Sequence, residues 1–138
     1  MPKSDWYAYQ RLGHKYGTKE KQPISEQDFE EVMALLRKPP VKNGKDNMNV
    51  AMHFATFSGI LCGVTMTDTQ KKDVRLFMQE TCQKPDTSQN YLKTFVFIAM
   101  TSMKDDSLVQ EALPFVDSKN VTTRQAARHY LKTVGYKI

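Results

Sequence analysis

Between Ser25 and Pro39 the apolar residues Phe29, Val32, Met33 and Leu36 fall at i, i+3, i+4 and i+7. That spacing lines one face of an α-helix and does not fit the alternation of a strand. Ser25 stands before them as an N-cap, with acidic residues in the first turn. Pro39-Pro40 ends the pattern, because proline has no N–H to donate and restricts the residue before it. The same period recurs along most of the chain and confines it to an all-α class.

The spacing predicts about six helices. After the helix that begins past Ser25, residues 41–45 with Asn43-Gly44 make a turn. A second helix runs from about Asp46 to Leu61, with Met48, Ala51, Met52 and Ala55 on one face and Phe54, Phe57 and Leu61 on another. A third starts at Thr67, where Thr67-x-x-Gln70 has the form of a capping box. Val74, Phe77 and Met78 line its inner side. Lys84-Pro85-Asp86 separates it from a fourth helix near Ser88 to Met103, which is apolar around most of its circumference through Tyr91, Leu92, Phe95, Val96, Ile98, Ala99 and Met103. The apolar run Phe95–Met100 is read as helix, since the pattern continues over several turns without a breaker. A fifth helix begins at Asp105-Asp106-Ser107 and carries Leu108, Val109, Ala112, Leu113 and Val116. The sixth starts near Val121-Thr122, buries Ala127, Leu131 and Val134, and stops at Gly135. Connections of about three to five residues favour antiparallel neighbours.

Residues 1–23 stand apart. They hold four of the aromatics (Trp6, Tyr7, Tyr9, Tyr16), one Leu, and no Val or Ile. They also carry five Lys/Arg against two Asp/Glu, more than half of the chain's net charge of +5. Gly13 and Gly17 are expected to interrupt any helix, and Lys19-Glu20-Lys21-Gln22-Pro23 reads as a solvated linker. The expected organisation is a basic, aromatic N-terminal arm over 1–23 and a single helical domain over 24–138. The start of the chain has no apolar core of a signal peptide, and its longest apolar run is too short to span a bilayer, so a cytoplasmic location without a membrane span is expected.

Leu113-Pro114, Asp117 and Arg124-x-x-Ala127-x-x-x-Leu131 together resemble a HEAT-type helical repeat unit over residues 105–135. Two departures accompany the match. Thr123 takes the apolar place before Arg124, and the turn is one residue longer than the pattern. Leu92-Lys93-x-x-Val96-x-x-x-Met100 is a fainter echo in which Lys93 corresponds to Arg124. The resemblance implies paired helices, as a HEAT-like stack or an irregular bundle, and a surface that holds a partner.

Catalytic and metal chemistry find little support. His14, His53 and His129 are scattered, and no spacing suggests a metal site or a cofactor. Cys62 and Cys82 are expected to be buried thiols. Ser58 lies mid-helix and not on a strained turn. Asp105-Asp106 is read as a helix N-terminus. No nucleophile, base and electrophile converge, so the chain is not expected to be an enzyme.

Two candidate surfaces remain. Arg124, Arg128 and Lys132 form a cationic ridge at i, i+4 and i+8, with Lys93 as its counterpart in the faint echo. In the arm, Trp6, Tyr7, Tyr9, Arg11, Lys15 and Tyr16 interleave aromatics and cations. These features point to a non-catalytic scaffold or adaptor that binds a protein partner, within a larger complex. The alternative is a nucleic-acid-binding module that uses the ridge and the arm. A third reading is an oligomeric structural component.

Overall fold

The computed structural model describes residues 3–18, 20–37, 47–83 and 91–138. It is all-α, with seven α-helices among the described residues: α1 Lys3–Tyr16, α2 Glu26–Leu36, α3 Asn47–Cys62, α4 Asp68–Gln83, α5 Tyr91–Met103, α6 Val109–Ala112 and α7 Val121–Thr133. Two short strands, β1 Gln22–Pro23 and β2 Val64–Thr65, pair in parallel with Gln22 opposite Val64. The chain divides into two compact units, Met1–Val74 and Arg75–Ile138, and the boundary falls inside α4.

The seventh helix is α1, and it corrects the expectation that Gly13 interrupts the arm. Glycine inside a helix costs only about 1 kcal/mol relative to alanine, and α1 offsets this by burying Leu12 and Tyr16. Gly17 lies just past the helix end, where its N–H reaches the Gly13 carbonyl at 2.7 Å. A Cβ at Gly17 would stand 2.3 Å from that carbonyl oxygen, so only glycine fits this turn.

In the first unit α1 and α2 both pack on α3. The α2 stripe Phe29, Val32, Met33 and Leu36 is buried as its spacing requires. Ser25 caps α2 by accepting the Asp28 N–H at 3.1 Å. The Thr67–Gln70 capping box forms in both directions: Gln70 N–H donates to Thr67 Oγ1 at 3.1 Å and Thr67 N–H to Gln70 Oε1 at 3.0 Å. The Gln70 amide also donates to Glu26 at 3.1 Å, which ties α4 to the start of α2. The Pro39-Pro40 stop, the Asn43-Gly44 turn, the start at Asp46, and the side chains of Met48, Ala51 and Met52 lie outside the described residues.

In the second unit α5 packs chiefly on α7. α5 buries Val96, Phe97 and Met100, α7 buries Ala127, Tyr130 and Leu131, and Phe97 and Tyr130 stack at 6.2 Å. Residues 95–100 are helical as expected, though Ile98 is exposed. The expected helix from Asp105 is replaced by something shorter. α6 is a single turn, and Leu113–Phe115 continues as a 3-10 turn with Pro114 near its start. Pro114 has no N–H for an α-type bond, which explains the change of winding. Nor does Asp105 cap α6. It closes its own turn by accepting the Ser107 N–H at 2.9 Å, while Leu108 stands at the N-cap without a side-chain bond. α7 is capped by Asn120, whose side chain accepts the Thr123 N–H at 3.1 Å. It ends where Gly135, at φ 81°, lets its own N–H reach Lys132 O and the Tyr136 N–H reach Leu131 O. That left-handed position closes the last turn and favours glycine. The Lys84-Pro85-Asp86 separator, the start near Ser88 and the Tyr91 side chain lie outside the described residues.

Candidate functional site

Asp28 of α2 organises the first unit's outer layer. It is buried, and its Oδ2 accepts from Lys15 Nζ at 2.7 Å and from the Tyr16 hydroxyl at 2.5 Å. That hydroxyl accepts the Ser25 N–H at 3.3 Å. Arg11 lies 3.8 Å from Asp28 Oδ1 and hydrogen-bonds Glu31. The Lys15 ammonium, then the Tyr16 hydroxyl, hold the Asp28 carboxyl below its ordinary value against the opposing effect of burial. The same bonds raise Lys15, through Asp28, and Arg11, through Glu31. Three of the predicted arm residues, Arg11, Lys15 and Tyr16, are therefore engaged in docking α1 onto α2.

Of the remaining three, Trp6 and Tyr9 join an aromatic series with Phe57 and His53, and Tyr7 stands beside it. Trp6 and Tyr9 are in ring contact at 5.5 Å, Tyr9 meets Phe57 of α3 edge-on at 6.3 Å, and Phe57 meets His53 at 4.9 Å. The series runs from buried Phe57 to Trp6, which keeps 46% of its surface exposed, while neighbouring Tyr7 keeps 59%. Beside it lies a cleft of about 480 Å³ between α1 and α3, lined by Tyr9, Leu12, Gly13, Thr56, Gly59 and Ile60 among others. A Cβ at Gly13 or Gly59 would meet nothing within 4 Å, so both lining glycines border open space.

His53 is half-buried and hydrogen-bonded: its Nε2 is 3.0 Å from Leu35 O. Its Nδ1 faces the buried Asp5 carboxylate of α1 at 4.0 Å. Ser58 is buried mid-helix, with its hydroxyl on Ala55 O at 3.3 Å. His14 is exposed on α1.

The predicted ridge lies on α7 in the second unit, where its members differ in surroundings. Arg124 donates to Ser118 O at 3.2 Å. Arg128 donates to Val116 O at 2.6 Å and pairs with Asp117 at 3.0 Å. Both guanidiniums thus reach back to the segment before α7. Lys132 is exposed on the outward side. Lys93 is half-buried on α5; its neighbour Thr94 bonds Thr123, the neighbour of Arg124, at 2.8 Å.

Sequence reasoning missed Asp28, Asp5 and the two cleft glycines. Asp28 could have been found, since an acid in the first turn of α2 faces a cationic arm. The glycines gave no signal without the pairing of α1 with α3. Cys62 is half-buried at the end of α3 and Cys82 is buried in α4. Among the described residues no three His, Cys, Asp or Glu side chains gather as a metal site, and no helix is long and apolar enough to cross a membrane. No protein-family model, curated protein or solved structure matches the chain.

Proposed function

We propose that this chain is a non-catalytic helical scaffold that binds a protein partner through the α1 surface carrying Trp6 and Tyr7. The observation that carries the reading is the exposure of these two aromatics, 46% and 59%, on a helix whose Asp5, Leu12 and Tyr16 are buried. Trp and Tyr are enriched among the residues that dominate protein interfaces. They bring a large contact area with few rotors to immobilise.

The arm's cations support the same choice. Arg11 and Lys15 are engaged with Glu31 and Asp28, so α1 offers aromatic surface more than charge. The adjoining cleft of about 480 Å³ has room for a bulky side chain of the partner beside Tyr9, Leu12 and Ile60. The HEAT-like pattern over residues 105–135 adds to a scaffold role, since such units hold partners.

Affinity capture on the full tagged chain tests this. Wild type is expected to retain a protein that Trp6→Ser/Tyr7→Ser fails to retain while its helical content is unchanged. Equal retention by both, or no retained protein, contradicts the proposal.

A further inference from the structure

The C-terminal helix carries a second surface, independent of Trp6 and Tyr7. Residues 118–138 contain Lys119, Arg124, Arg128, Lys132 and Lys137 and no Asp or Glu. A run of this sign has no internal acid to neutralise it. Asp117, just before it, is taken by Arg128 at 3.0 Å.

The fold decides which of these residues face outward. Thr123, Ala127, Tyr130 and Leu131 are buried, which turns Gln125, His129 and Lys132 to the opposite side. Their spacing of i, i+4 and i+7 makes one stripe. Val121 and Thr122 are exposed at its start, and Tyr136 and Lys137 are exposed just beyond its end. Arg128 borders the stripe with its guanidinium held by Val116 O and Asp117. Those bonds occupy two of the five N–H donors of an arginine and fix its plane.

We propose that this outward face of α7 binds duplex DNA. Its chemistry favours a nucleic acid over an acidic protein. A protein-binding core needs large apolar or aromatic side chains at its centre, and the centre of this stripe is Gln125, His129 and Lys132. Gln, Lys and Thr donate to phosphate oxygens, and Gln and Lys also to base edges. A single exposed α-helix also has the width that the major groove of B-form DNA admits. Charge complementarity is one-sided, because the face holds cations and no acid.

The test is fluorescence anisotropy of a short labelled duplex of mixed sequence titrated with the full chain at a series of salt concentrations. We expect the logarithm of the binding constant to fall linearly with the logarithm of salt, with a slope of about −0.9 for each phosphate neutralised. Lys132→Gln/Lys137→Gln is expected to make that slope shallower by about 0.9 for each phosphate left without its lysine. Both side chains are exposed, so circular dichroism should match wild type. Lys21→Gln, an exposed change in the first unit, should leave the slope as it was. Absence of binding at low salt, an unchanged slope in the α7 variant, or binding to a polyglutamate peptide in preference to the duplex would each overturn the proposal. None of these outcomes depends on Trp6 or Tyr7.

Discussion

The hydroxyls of Thr94 and Thr123 meet at 2.8 Å between α5 and α7. Both residues are buried, at 3% and 0% exposure, so water cannot replace the bond. This is the place where Thr123 departs from the apolar residue of the repeat-like pattern, and the departure is matched by a threonine on the facing helix. Thr123→Val should destabilise the second unit by about 1–2 kcal/mol. Thr94→Val/Thr123→Val should destabilise by less than the sum of the two single changes, because contacting partners do not act independently. Urea denaturation of the four proteins in the cycle checks this.

Tyr130 pins the turn before α6. Its hydroxyl donates to Asp105 O at 2.6 Å and accepts the Leu108 N–H at 3.0 Å. Leu108 is buried, so Tyr130→Phe leaves its N–H without this acceptor and should cost about 1–3 kcal/mol. Burial pushes the Tyr130 phenol up to about 12. The folded state then holds a proton that the unfolded chain, with an ordinary phenol near pH 10, has released. Stability present below pH 10 is therefore lost as the pH rises towards 12. Ultraviolet titration of tyrosinate should show a late-ionising phenol that Tyr130→Phe removes.

At the acid end the sign is set by Asp28 and Asp105. Lys15, then Tyr16, hold Asp28 below its ordinary value of 3.8. Burial pushes Asp105 up, but Ser107 and Arg75 outweigh it and the carboxyl also ends below 3.8. The unfolded chain takes up these protons first, so their contribution is present above that value and is lost as the pH falls below it through the lower folded-state values. Asp28→Asn should weaken the docking of α1, and its thermal midpoint should depend less on pH below pH 4 than that of wild type.

The glycines separate packing from propensity. Gly59→Ala adds a Cβ that meets nothing within 4 Å, and should stabilise α3 by about 0.5–1 kcal/mol. Gly17→Ala should destabilise, because its Cβ would lie 2.3 Å from a backbone oxygen. Thermal melts of the two variants should move in opposite directions. Gly59→Trp should close the cleft and reduce partner capture without loss of helicity.

Where apolar period and caps agreed, the helices could be read from the chain. Ser25 with Phe29, Val32, Met33 and Leu36 marked α2, Thr67 and Gln70 marked the start of α4, and Gly135 the end of α7. α1 was hidden because its interior holds Gly13 and its apolar residues are few. It is held by Asp28 of α2, through a contact with Lys15 and Tyr16 that local propensity within α1 does not reveal. α6 was overread because leucine and valine continue across Pro114, while the backbone there winds as a 3-10 turn. The candidate residues on α1 and α7 were visible as types and spacings. That Arg11, Lys15, Arg124 and Arg128 reach intramolecular partners, and that Trp6 and Tyr7 do not lie in the core, depends on tertiary packing.

Trp6 is the only tryptophan of the chain, and Tyr7 beside it is exposed, so the claimed contact surface can be interrogated at a single point. A photocrosslinking amino acid placed at position 7 of the full chain gives the most direct reading. The expected result is a discrete adduct with one protein, abolished when Trp6→Ser is added and kept when Lys132→Gln is added. No adduct, or an adduct that survives Trp6→Ser undiminished, would contradict the assignment of this face as the partner-binding surface.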